Sequence, residues 1–200
     1  GQHPARHVEV PDHRVISRPG PGINQITASI GFQTVIKARF DQVFNPRFSP
    51  DGRTIAFSRW QRGGYRDIQL LDVASGEITG SCALAGQPDS TATAPDGAFV
   101  VIAIENERDE DAGDGGLPQA PGGTVQIVPV ADGAMDCDGI LTAQMNGLAS
   151  VGTDDPEPEF VDVNGEGQIA VTLQENNHIV ILNSDATIYS HFPAGSVNLY

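Results

Sequence analysis

An all-β fold follows from three features of this 200-residue sequence. Gly (23) and Pro (14) are abundant while aromatics make up only 6% of the chain, a composition suited to short strands and turns. No long stretch repeats its apolar residues at the helical period. A Gly-containing turn between two apolar strands recurs three times, each copy followed by a further strand, a second turn and a weaker fourth strand. Four strands per unit predict an array of about three four-stranded blades, an incomplete β-propeller.

Taken in order, residues 1–40 form an N-terminal segment expected to be partly irregular. Pro19-Gly20-Pro21-Gly22 breaks it, and Ile23 to Phe40 has room for one or two strands adding to a sheet. His3, His7 and His13 have no carboxylate or Cys at ligand spacing, which points to a solvated, poorly ordered terminus and not to a metal site.

The first repeat runs Phe48-Ser49-Pro50-Asp51-Gly52 into Arg53–Ser58, and the second Thr93-Ala94-Pro95-Asp96-Gly97 into Ala98–Ala103. In the third, Val161-Asp162-Val163 meets Asn164-Gly165 and continues to Val171; Asn-Gly between alternating apolar residues is a hairpin signal. The strands that follow are Asp67–Val73, Thr124–Val130 and His178–Leu182. Gly52 and Gly97 are 45 residues apart, but Gly97 and Gly165 are 68 apart, so the second unit carries insertions. They fall at Asn106–Gly123 and roughly Cys137–Pro158, both acidic and either functional or simply solvated. Three blades are too few for a closed propeller, so the open arc is expected to leave edges for missing blades or a partner chain. The start at Gly1 without Met and the end in strand-like sequence fit a piece of a longer protein.

Charge divides the chain. Residues 1–80 hold 10 of the 11 basic residues, a formal +3, whereas residues 81–200 hold Arg108 alone against 19 acids, a formal −18. An acidic surface repels nucleic acid and anionic lipid and attracts cations. No apolar run is long enough to span a membrane. Cys82 and Cys137 are too few for a zinc site, leaving a disulfide in an exported protein or two inert buried thiols. A bridge would close a loop of about 55 residues and staple the second blade's long insertion, stabilising by roughly 4 kcal/mol on the chain-entropy model.

Residues 44–80, from Phe44-Asn45-Pro46-Arg47-Phe48-Ser49-Pro50-Asp51-Gly52 through Asp67-Ile68-Gln69-Leu70-Leu71-Asp72-Val73, resemble a blade of the TolB-type propellers. Such blades mostly serve as interaction scaffolds. Residues 82–200 resemble another group, the phytase-like propellers with esterase-like activity. The resemblance rests on Gln87-Pro88-Asp89-Ser90, Ala103–Asp111, Asp154–Asp162 and Thr172–His178. The chain thus divides into residues 1–40, a TolB-like blade at 41–81 and phytase-like blades at 82–200. The second resemblance implies a bacterial periplasmic or secreted hydrolase, metal-linked, acting on a phosphorylated or ester small molecule.

The residues carry their own chemical argument. Glu105, Glu107 and Asp109 recur at every second position, so on an extended strand they share a face, and Asp155, Glu157 and Glu159 repeat that spacing. The hairpin around Asn164 brings the second group beside Glu175 and Asn177. All eight are candidate ligands for Ca2+ or another hard divalent cation, which takes six to eight oxygen donors. Glu175 and His178 are candidate general bases, with His178 outside the cation's ligand sphere. No Gly-x-Ser-x-Gly elbow exists, and Ser90 has no His nearby in sequence to activate it. Two functions follow: a calcium-dependent phosphoester or ester hydrolase, or a non-catalytic propeller scaffold binding a cell-envelope protein.

Overall fold

The computed structural model describes residues 7–10, 14–17, 27–28, 41–61, 65–106 and 118–196, and among these it contains strands and turns but no helix. Three antiparallel sheets form the body. The first runs β4 (Asp41–Phe48), β5 (Thr54–Gln61), β6 (Tyr65–Asp72) and β7 (Ile78–Ala83). In the second, β8 (Gln87–Thr93), β9 (Phe99–Glu105) and β10 (Thr124–Ala131) precede a divided fourth position. There β11 (Ala134–Met135) and β12 (Leu141–Gln144) each pair with β10. The third runs β13 (Pro158–Val163), β14 (Ile169–Leu173), β15 (His178–Leu182) and β16 (Ile188–Pro193). The predicted three four-stranded blades are present. Ahead of them, β1 (His7–Val10), β2 (Arg14–Ser17) and β3 (Thr27–Ala28) make a three-stranded sheet of their own.

The same turn closes the inner hairpin of every blade. Gly52, Gly97 and Gly167 donate N–H to Ser49 O, Ala94 O and Asn164 O, and all three have positive φ (71°, 77° and 81°). Only glycine enters that region without strain, which is why it punctuates the repeat. Gly167, not Gly165, is therefore the counterpart of Gly97. The Asn164-Gly165 signal misplaced the third repeat by two residues. Asn164 caps the turn itself, its Oδ1 accepting the N–H groups of Glu166 (3.0 Å) and Gln168 (2.9 Å).

Alternation along each strand then decides the packing. In β9, Val100, Ile102 and Ile104 face the first sheet in one apolar cluster with Ala56, Ile68, Leu70 and Cys82. Val101 and Ala103 face the third sheet in another, with Val161, Ile169, Val171, Leu173, Val180 and Leu182. The middle sheet is thus covered on both faces, and β9 is buried along its whole length. The innermost strands β4, β8 and β13 lie side by side.

Cys82 and Cys137 form a disulfide, with Cα atoms 5.3 Å apart. Cys82 lies on β7, the outer strand of the first blade, and Cys137 lies between β11 and β12 of the second. The bridge therefore fastens two neighbouring blades, whereas the sequence suggested a staple within one. The open arc also leaves a sheet face uncovered, beyond the unpaired edges expected. The row Phe160, Thr172, Ile179 and Phe192 crosses the third sheet on the side away from the second. Phe160 is 60% exposed and Phe192 46%.

A carboxylate cluster between two blades

The innermost strands of the second and third blades each carry a β-bulge near their start, one between Pro88 and Ser90 and the other between Pro158 and Phe160. A bulge holds one residue more than its partner strand and turns a side chain out of the ladder. Those residues are Asp89 and Glu159, which the shared turn geometry makes counterparts in consecutive repeats. Glu105 ends β9 and pairs with Gln87. Among the described residues, one carboxylate oxygen each from Asp89, Glu105 and Glu159 lie within 4.8 Å of one another.

Glu105 is buried, and Asp89 and Glu159 are half-buried. Burial is the main reason the Glu159 carboxyl is pushed up to about 7; repulsion by Asp89 and a hydrogen bond with it act in the same direction, and Glu157 adds to the repulsion. A hydrogen bond with Glu105 acts against them. Three carboxyls so placed either share protons or hold a cation. Oxygen-only donors fit a hard ion such as calcium, with room in its sphere for further oxygens.

The other candidates take different positions. Glu157 is buried beside the cluster, and its backbone N–H donates to Asn176 Oδ1 (2.9 Å). Asp155 is 2% exposed; its Oδ2 accepts the N–H of Gln119 at 3.0 Å, and its Oδ1 is buried without a partner among the described residues. Glu175 and Asn177 are exposed in the β14–β15 turn, with Asn177 Nδ2 donating to Gly195 O. Glu107 and Asp109 lie outside the described residues. His178 is buried two strands outward from β13, and its Nε2 is 2.9 Å from His191 Nδ1. Burial, then repulsion by His191, lowers the His178 pKa. The structure thus brings Glu105 and Glu159 together and does not bring Glu175, Asn177 or His178 into the cluster of ligand oxygens.

Two contributors were not singled out as ligands or supports from the sequence. Asp89 sat in plain view in Gln87-Pro88-Asp89-Ser90, but without alternating acids beside it there was no local signal. Asn176 is 3% exposed and organises the 151–157 loop, its Nδ2 lying 3.1 Å from Val151 O, 3.1 Å from Gly152 O and 3.0 Å from Asp155 O. Ser90, in turn, is 1% exposed, and its Oγ accepts the Val161 N–H. That bond gives Ser90 a structural role at the seam between the two blades.

Residues 49–199 match the protein family described as "Choice-of-anchor I domain". The match runs straight through residue 82, where the two sequence resemblances meet. No curated protein gives a significant match. Among solved structures, Kuenenia stuttgartiensis hydrazine synthase is similar at a TM-score of 0.59 and 15% identity, over 92% of this chain and 60% of that one. The Pseudomonas aeruginosa periplasmic gluconolactonase PpgL is similar at 0.59 and 14%, over 90% and 50%. Dihydro-heme d1 dehydrogenase NirN is similar at 0.54 and 18%, over 94% and 34%. At such identities the likeness shows the propeller-like fold alone. The chain spans 60% or less of these three proteins.

Proposed function

The chain belongs to the choice-of-anchor I domain family, and from that premise we propose that it is part of a calcium-dependent hydrolase of phosphoesters or esters built on a propeller. One observation carries the proposal: the convergence of Asp89, Glu105 and Glu159 at the seam between two blades. In this reading Asp89 and Glu105 supply oxygen ligands, and Glu159 and the neighbouring Glu157 complete the anionic wall. A divalent cation there would neutralise substrate oxygens and lower the pKa of the attacking water. Glu159, beside the two ligands, is the residue placed to hold or release a proton; its carboxyl titrates at about 7 without the cation, and a bound cation lowers that value. It takes that role in place of His178, which is engaged with His191, and of Glu175, which is exposed in a turn. The family and the Cys82–Cys137 bridge both support a bacterial extracellular or cell-surface protein, and a periplasmic or secreted one is part of the proposal.

The test is turnover of a chromogenic phosphomonoester and a chromogenic carboxylic ester, with calcium and with chelator, on wild type and Asp89→Asn. Calcium-dependent turnover that Asp89→Asn abolishes supports the reading. Absence of calcium-dependent turnover, together with a melting temperature indifferent to calcium, would sink it.

A second reading, a non-catalytic scaffold of the TolB kind binding a cell-envelope protein, is favoured by the uncovered row Phe160, Ile179 and Phe192 on the third sheet. Binding lost in Phe160→Ser, with no turnover in any variant, would support it over the hydrolase.

A further inference from the structure

At the same end of the sheets as the carboxylates, the first blade presents the opposite chemistry. Trp60 and Arg66 are direct cross-strand partners on β5 and β6, so their side chains rise from one face of the sheet. That face is the one carrying Ser58 and Ile68, both fully buried, with Ile68 packed against the second blade. Trp60 Nε1 and Arg66 Nε are both buried, and neither has a hydrogen-bond partner among the described residues. Both groups only donate, so neither can satisfy the other.

The facing wall repeats the pattern. Thr124 pairs with Ile104 on the side of the second sheet that meets the first, and its Oγ1 is also buried and unpartnered among the described residues. The chain crossing between the two blades is fastened to both walls: Leu84 N–H donates to Arg66 O (2.9 Å) and Ala85 N–H to Gln126 Oε1 (2.8 Å). The carboxylate next in sequence cannot serve Arg66. Asp67 points to the other face, where it accepts two hydrogen bonds from Arg59 (3.0 and 2.7 Å) and one each from Gln69 and Ser81.

Leaving two such donors unmade in a folded interior costs on the order of 1–3 kcal/mol each, more where the donor is charged. Native structures rarely tolerate this without a bound water or ion. We infer that Trp60, Arg66 and Thr124 form an oxyanion-binding site between the first and second blades. A guanidinium N–H and an indole N–H left unpaired on neighbouring strands of one sheet face favour a charged oxygen over a neutral one. The ligand class is a phosphate, sulfate or carboxylate group. The inference does not depend on the cation reading, because none of its residues belongs to the carboxylate cluster.

Trp60 is the only tryptophan in the chain, so its emission reports on the site directly. Chelator-treated protein is titrated with inorganic phosphate, sulfate and acetate, with chloride at matched ionic strength as control. A saturable change in emission is expected with at least one oxyanion and not with chloride. Its midpoint should rise tenfold or more in Arg66→Gln and several-fold in Thr124→Val, which keeps the side-chain shape. If Arg66→Gln does not fold, Thr124→Val carries the test. No saturable change, or a change equal to that with chloride or unaltered in the folded variants, overturns the inference and assigns the space to water.

Discussion

Ser90 Oγ accepts a 2.9 Å hydrogen bond from the Val161 backbone N–H across the seam between the second and third blades, and both residues are buried. Each sits within two residues of a bulge, so this bond holds Asp89 opposite Glu159. Ser90→Ala would leave the Val161 N–H buried and unpaired, a loss of about 1–3 kcal/mol. Urea denaturation should show a lower midpoint with an unchanged slope. Calcium affinity should fall as well, because the two acidic strands lose their common anchor.

The pH dependence of stability has a definite sign. The Glu159 carboxyl titrates at about 7 in the folded chain, against an ordinary value of 4.5. Between those limits the folded state keeps a proton that the unfolded state has released. The contribution is therefore fully present below 4.5 and is lost as pH rises to 7. In chelator, the stability of wild type minus that of Glu159→Gln should decline across this window. A flat difference would show that Glu159 titrates like an exposed carboxyl, and a rising one that folding lowers its pKa; either outcome overturns the prediction.

Calcium acts on the same equilibrium from the other side. At pH 6.5 its binding should expel protons from the cluster, visible as a calorimetric heat that depends on the buffer's ionisation enthalpy. The melting temperature should rise with calcium in wild type. Glu159→Gln should weaken binding tenfold or more, whereas Glu175→Gln, in an exposed turn, should change it less than twofold. Equal losses in the two variants would move the site to the β14–β15 turn.

The Cys82–Cys137 bridge closes a loop spanning 55 residues of separation between adjacent blades. Its reduction should cost roughly 4 kcal/mol on the chain-entropy model, with 0–5 as the measured range for such bonds. Denaturation with and without reductant, compared with Cys137→Ser, measures it. Stability unaffected by reductant would mean that blade packing alone holds the seam.

Burial of β9 on both faces predicts a steep penalty for truncation. Ile102 is fully buried. Ile102→Ala should cost about 2–5 kcal/mol, read from chemical denaturation, while Thr79→Ala on the exposed part of β7 should cost under about 1 kcal/mol.

The strands and their order were legible in the sequence because the forces that set them are local. Apolar segments marked β5, β9, β10, β14 and β15, and glycines marked the turns between them. The repeat then implied four-stranded blades. The misplaced third repeat shows the limit of local signals: Asn164-Gly165 reads as the tighter turn, yet it is Gly167 that adopts the left-handed conformation. The acidic residues were visible too, but which of them meet was decided only by tertiary structure. Asp89 and Glu159 face each other because two bulged strands from separate blades pack side by side, with Ser90 bonded to Val161. Glu105 joins them from the end of β9. Spacing along one strand predicts a shared face; it carries no information about which face a neighbouring blade will cover. The pairing of His178 with His191 and of Trp60 with Arg66 was hidden for the same reason, since hydrogen-bond partners and burial are set across strands and blades.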